Sequence, residues 1–128
     1  MNARVNFALN QPKKILLNWA KKNKGKIQIF NYSIKAAAGS DVIFTDKVIS
    51  MNDKVNKFKK LKDFKKFKVN SKVMKFAKRD AIFLHCLPRG DEVSNDVFLG
   101  KQSKVWQQAL NRVHVQKSIL LYCLRKLR

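Results

Sequence analysis

Acidic residues are scarce in this chain. Eight Asp and Glu stand against 29 Lys and Arg, which leaves a formal charge of +21 over 128 residues. Arginine is scarce too, with six against twenty-three lysines. A basic surface of this size suits nucleic acid or an anionic membrane, or else belongs to solvated faces that carry lysine where other proteins carry Glu or Gln. The shortage of arginine favours the second reading, because arginine reads base edges and grips phosphate with two parallel bonds. Lys57, Lys59, Lys60, Lys62, Lys65, Lys66 and Lys68 make the densest run. Only two cysteines are present, Cys86 and Cys123, with neither metal-ligand spacing nor a disulfide framework. A reduced, cytoplasmic protein without metal or cofactor is the expectation. No apolar run approaches the length of a membrane span. Met1-Asn2-Ala3-Arg4 leads into no signal-peptide core. Four glycines and two prolines make no linker, and no internal repeat is visible. What is there is ordinary for one globular domain: an apolar fraction of 45%.

Strand and helix signals alternate. Val5, Phe7 and Leu9 alternate as in a strand. Pro12 suits a helix start, Ile15, Leu16, Trp19 and Ala20 follow at helical spacing, and Gly25 suits its end. The face carrying Trp19 reads as core. Lys26 to Phe30 reads as a second strand. Ser33 is placed to cap a short helix that Gly39 ends. Asp41 to Thr45 is a third strand, and the stretch from Asp46 to Lys60 is polar and irregular. Leu61, Phe64 and Phe67 sit at helical spacing. Asn70 or Ser71 can cap a helix through Val73, Met74, Phe76 and Ala77. Ala81 to Cys86 is a fourth strand. A short helix or turn is expected over Asp91 to Leu99, extended chain over Lys104-Val105-Trp106, and a last helix over 107–127. Ala109, Val113, Leu120, Leu124 and Leu127 share one side of that helix. Such alternation predicts an open parallel α/β sheet in three layers, with right-handed crossovers.

The fourth strand organises the chain. Ala81-Ile82-Phe83-Leu84 is an apolar run bounded by Lys78-Arg79-Asp80 and then by Pro88 and Gly90. That is the pattern of a buried parallel strand. Pro88 cannot donate to a ladder, so His85 and Cys86 fall at the carboxyl end, which in open α/β sheets faces the ligand crevice. By alternation, His85 and Cys86 point to opposite faces. His85-Cys86-Leu87-Pro88 resembles the signature of the ornithine carbamoyltransferases. Asp46-Lys47-Val48-Ile49-Ser50-Met51 resembles that family's ornithine loop, and Asn111-Arg112-Val113-His114 resembles its C-terminal Asn-Arg-x-His. All three occur in the family's order. Asn52 stands where the family usually has Gly, Leu110 where it commonly has Glu, and the segment after Pro88 is shorter.

The resemblance implies carbamoyl transfer from carbamoyl phosphate to the side-chain amine of ornithine, giving citrulline and phosphate in arginine biosynthesis. It implies that Asp46, Ser50, Met51 and Cys86 bind ornithine. Cys86, Leu87 and Arg112 would meet carbamoyl phosphate, and Asp46, Cys86 and Arg112 would be the catalytic residues. His85 reads as structural. The phosphate-binding Ser-x-Arg-Thr and His-Pro-x-Gln motifs are not in this sequence. The chain thus resembles the ornithine-binding domain alone, a single partial domain over 1–128. Its last helix would pack toward an N-terminal domain supplied separately, within a homotrimer if complete. The family's second domain has five strands in the order 3-2-1-4-5. By resemblance this chain begins at strand 2, so the central strand would be missing and two strand pairs would flank an empty slot. Three other readings stay open: a carbamoyltransferase for aspartate or acetylornithine, a basic nucleic-acid-binding module, and an inactive remnant that keeps the site residues. Neither a membrane nor a specific nucleic acid is an expected partner.

Overall fold

Two parallel strand pairs carry the fold. A computed structural model of the protein describes residues 4–7, 14–49 and 57–124. β1 (Arg4–Phe7) and β2 (Lys26–Ile29) are parallel, with Val5 opposite Ile27. Parallel neighbours need a crossover connection, and α1 (Lys14–Lys22) lies within it. α2 (Ser33–Ala37) leads to β3 (Val42–Thr45). Next come α3 (Lys57–Phe64), a 3-10 turn at Lys65–Phe67, and α4 (Ser71–Met74). β4 (Ile82–His85) pairs parallel with β3, Thr45 opposite His85, and α5 (Asn95–Phe98) and α6 (Val105–Cys123) follow. This is the open parallel α/β class that the alternation predicted. Leu9, Pro12 and Leu127 lie outside the described residues.

Among the described residues no ladder joins the β1–β2 pair to the β3–β4 pair. Removing strand 1 from the order 3-2-1-4-5 leaves these same partners, 2 with 3 and 4 with 5. α2 contacts both β1 and α4 and so touches both halves.

The core gathers around β4. Alternation along the strand buries Phe83 and His85, while Ile82 and Leu84 stay partly exposed. Phe83 and Val105 are wholly enclosed, among Ile43, Val73, Val97 and Phe98. On its other edge, Phe83 N–H donates to Gln102 O at 2.8 Å, and Lys104 N–H donates to Phe83 O at 2.9 Å. The extended chain expected at 104–106 therefore lies two residues earlier, over 102–104. Val105 and Trp106 are helical, and the last helix begins at Val105 rather than at Gln107. Burial of Val105 sets that turning point.

Other helix ends follow from local chemistry. Asn70 caps α4, its Oδ1 accepting from Val73 N–H at 3.1 Å. Ser33 does not cap α2. It is the first helical residue, after Tyr32, and its hydroxyl donates to Lys66 O. α1 closes with Gly25 N–H on Ala20 O at 2.8 Å and Lys24 N–H on Lys21 O at 3.3 Å, the paired bonds of a Schellman turn. The left-handed residue in that turn is Lys24, at φ 59°, and not Gly25. At Gly25 the constraint is closeness instead, since a Cβ there would stand a tight 3.3 Å from Ala20 O. The Trp19 face is not core: Trp19 is 65% exposed and Ile15 is exposed beside it, while Ala20 is buried. Among the side chains of α1 whose burial is described, Ala20 is buried and Leu17 is partly buried. Val113 and Leu120 on α6, and Leu124 at its C-cap, are exposed.

Candidate active site at the carboxyl ends of β3 and β4

In-register pairing of Thr45 with His85 ends both strands at the same level, so the next residues, Asp46 and Cys86, emerge side by side. The Cys86 thiol donates to Asp46 Oδ1 at 2.8 Å, and Lys47 N–H donates to the same oxygen at 2.7 Å. The thiol bond chiefly, and then the Lys47 amide, hold the Asp46 carboxyl below its ordinary range. Burial first, and then the bond to Asp46, push the Cys86 thiol upward. The pair at neutral pH is thus an anionic carboxylate beside a neutral thiol. Such a thiol is a poor nucleophile and a competent hydrogen-bond donor. The carboxylate is a ready partner for an ammonium group.

His85 turns the other way. Its ring lies in the core, with centroids 6.3 Å from Phe83 and 6.2 Å from Phe98. Nε2 is 2.8 Å from Glu92 Oε1, and both side chains are almost wholly out of water. Nδ1 contacts the carbonyl oxygen of Cys86. The imidazole thus ties the strand end to the loop after it, and the Leu87–Pro88 bond in that loop is cis. Leu87 is half exposed at the loop's start. Arg89 does not extend into open solvent: its guanidinium lies 4.8 Å from the Phe98 ring centroid and bonds Asn95.

Helix α6 reaches the same strand end. Gln108 Oε1 accepts from His85 N–H at 3.0 Å. Arg112 is four residues further, about 6 Å along the axis and on the same side of the helix. Its side chain is exposed and makes no hydrogen bond or ion pair among the described residues. Of the expected site residues, Asp46 and Cys86 are in direct contact, Leu87 adjoins them, and Arg112 stands one helical turn beyond a contact to the strand end. Ser50, Met51 and Asn52 lie outside the described residues. Glu92 and Gln108 were not singled out from the sequence. Nothing in local periodicity marks Glu92, but the four-residue spacing from Gln108 to Arg112 was readable.

Residues 4–123 match the model of the Asp/Orn-binding domain of aspartate/ornithine carbamoyltransferases. The chain belongs to this family. It is 48% identical to an ornithine carbamoyltransferase of Methanococcus maripaludis over 113 residues, 86% of this chain and 37% of that protein. To one from Agrobacterium fabrum it is 40% identical over 117 residues, 90% of this chain and 38% of the relative. The structure superposes on the Campylobacter jejuni anabolic ornithine carbamoyltransferase with a TM-score of 0.81 at 30% identity, covering 97% of this chain and 44% of that one. The Pyrococcus furiosus ornithine carbamoyltransferase gives 0.75 at 38% identity, covering 87% and 37%. The carbamoyltransferase fold extends to an N-acetyl-L-ornithine transcarbamylase at 22% identity and a TM-score of 0.68. This chain spans about two fifths of the length of the relatives it matches. Among the described residues no helix is long and apolar enough to cross a membrane.

Proposed function

We propose that this chain is the ornithine-binding portion of an ornithine carbamoyltransferase, transferring a carbamoyl group from carbamoyl phosphate to ornithine to give citrulline and phosphate, a step toward arginine. The observation that carries the reading is the Asp46–Cys86 pair at adjacent strand ends, 2.8 Å apart. An anionic Asp46 holds the side-chain ammonium of ornithine at the mouth of the crevice. Cys86, kept neutral, orients the amine and the carbamoyl group by hydrogen bonding, with the Leu87 carbonyl beside it. Ser50 and Met51 hold the α-amino and carboxylate groups. Arg112 supplies fixed planar donors to the carbamoyl oxygen, where charge develops. The phosphate-binding half of the site comes from a separate N-terminal domain, toward which α6 packs, and the complete enzyme is a cytoplasmic homotrimer. Neither a metal nor a cofactor takes part.

The test is citrulline release from ornithine and carbamoyl phosphate. The isolated chain should give none, because one half-site neither aligns two substrates nor stabilises the leaving phosphate. Adding the carbamoyl-phosphate-binding domain of a relative should restore turnover. Asp46→Ala or Arg112→Ala should remove it again by about a hundredfold or more. Robust turnover by the isolated chain would contradict the half-site reading, and failure of rescue would favour an inactive remnant.

A further inference from the structure

The outer edge of β4 pairs with residues 102–104 for only one bridge, between Phe83 and Ser103. Phe83 N–H bonds Gln102 O and Lys104 N–H bonds Phe83 O, so the next donor in a parallel register is His85 N–H and its due acceptor is Lys104 O. In this chain that carbonyl serves the helix instead. The chain turns into α6 at Val105, and Lys104 O accepts the helix bond from Gln108 N–H at 2.8 Å. The Gln108 side chain replaces what its backbone removed: Oε1 accepts from His85 N–H at 3.0 Å. One residue therefore starts the helix ladder and completes the strand ladder. Residues 110–120 are all exposed, so Gln108 and Ala109 are the last partly buried positions before a long exposed stretch.

We propose that Gln108 is a positioning residue that locks the rotation of α6 against the carboxyl end of β4 and so fixes where Arg112, one helical turn further on, stands relative to that strand end. The anchor is a property of the chain itself, while its catalytic consequence rests on the carbamoyl-transfer reading. A side chain without the acceptor would leave His85 N–H unpaired and free the helix to rotate, carrying Arg112 with it. Gln108→Leu keeps the volume and loses the oxygen, and Gln108→Glu keeps an acceptor.

Two measurements decide the matter. In the isolated chain, Gln108→Leu should raise amide hydrogen exchange at His85 about tenfold, the loss of one hydrogen bond, while Phe83 is unchanged and Gln108→Glu stays near the parent. Unchanged exchange at His85 overturns the anchor, whatever the activity. In the two-domain enzyme, Gln108→Leu should lower kcat about tenfold with little change in the KM for ornithine. In an Arg112→Ala background the same substitution should cost nothing more. Additive losses overturn the route through Arg112. If the parent pair makes no citrulline, the reaction reading fails by itself, and the exchange measurement still decides whether Gln108 anchors the helix.

Discussion

Cys86 Sγ and Asp46 Oδ1, forty residues apart in the chain, meet at 2.8 Å with the thiol as donor. The contact is the chief cause that lowers Asp46 and, after burial, the second cause that raises Cys86. Asp46 titrates below its ordinary 3.8, so it favours the folded chain above that pH and the contribution is lost as pH falls through the lower folded value. Cys86 titrates above its ordinary 9.0, so its contribution is present below 9.0 and is lost as pH rises toward the higher folded value.

Thiol reactivity reads this contact directly. At pH 8.5, iodoacetamide should modify half-buried Cys86 more slowly than exposed Cys123, followed by mass spectrometry of the two peptides. Asp46→Asn keeps an oxygen acceptor and removes the anion. It should speed Cys86 modification, since removing the neighbouring anion lowers the thiol's pKa and raises the thiolate fraction. Full relief is not expected, because burial is the larger cause of the shift. Equal rates in the parent and the variant would mean that the two side chains do not meet in solution.

The end of α1 offers a stability test. Lys24 sits at φ 59°, a conformation that costs a side-chain-bearing residue about 1–2 kcal/mol. Lys24→Gly should remove that cost, less the added freedom of glycine in the unfolded chain, for a net gain of about 0.5–1 kcal/mol in urea melts. Gly25→Ala should destabilise instead, because the new methyl would stand 3.3 Å from Ala20 O.

The third expectation concerns association. Val113, Leu120 and Leu124 are each at least 60% exposed on one side of α6, and an apolar stripe of this kind invites burial. The net charge of +21 opposes contact between copies. Salt screens the repulsion and leaves the apolar term intact, the Debye length falling from about 30 Å at 0.01 M to about 10 Å at 0.1 M. Sedimentation velocity should therefore show self-association of the isolated chain that strengthens with salt, and Leu120→Glu should weaken it. Association that vanishes with salt would place the contact on charge rather than on this face.

Much of the molecule is written in local pattern. The apolar run at 81–84, closed by Pro88, marks β4 and its carboxyl end, and Asn70 marks the start of α4, because alternation, proline and side-chain caps act within a few residues. The three family motifs are equally local. Packing decided the rest. The helical spacing of Ile15 and Trp19 is real, yet it says which residues share a face and not whether anything covers it; here Trp19 is exposed. Val105 reads as extended from its neighbours, and it starts a helix because it is enclosed in the core while 102–104 are held by Phe83. Glu92 meets His85 across seven residues, Gln108 meets it across twenty-three, and Asp46 meets Cys86 across forty. Letter types and spacing limit which groups a chain can offer, but only the register of β3 on β4 and the docking of α6 bring those groups within hydrogen-bond distance.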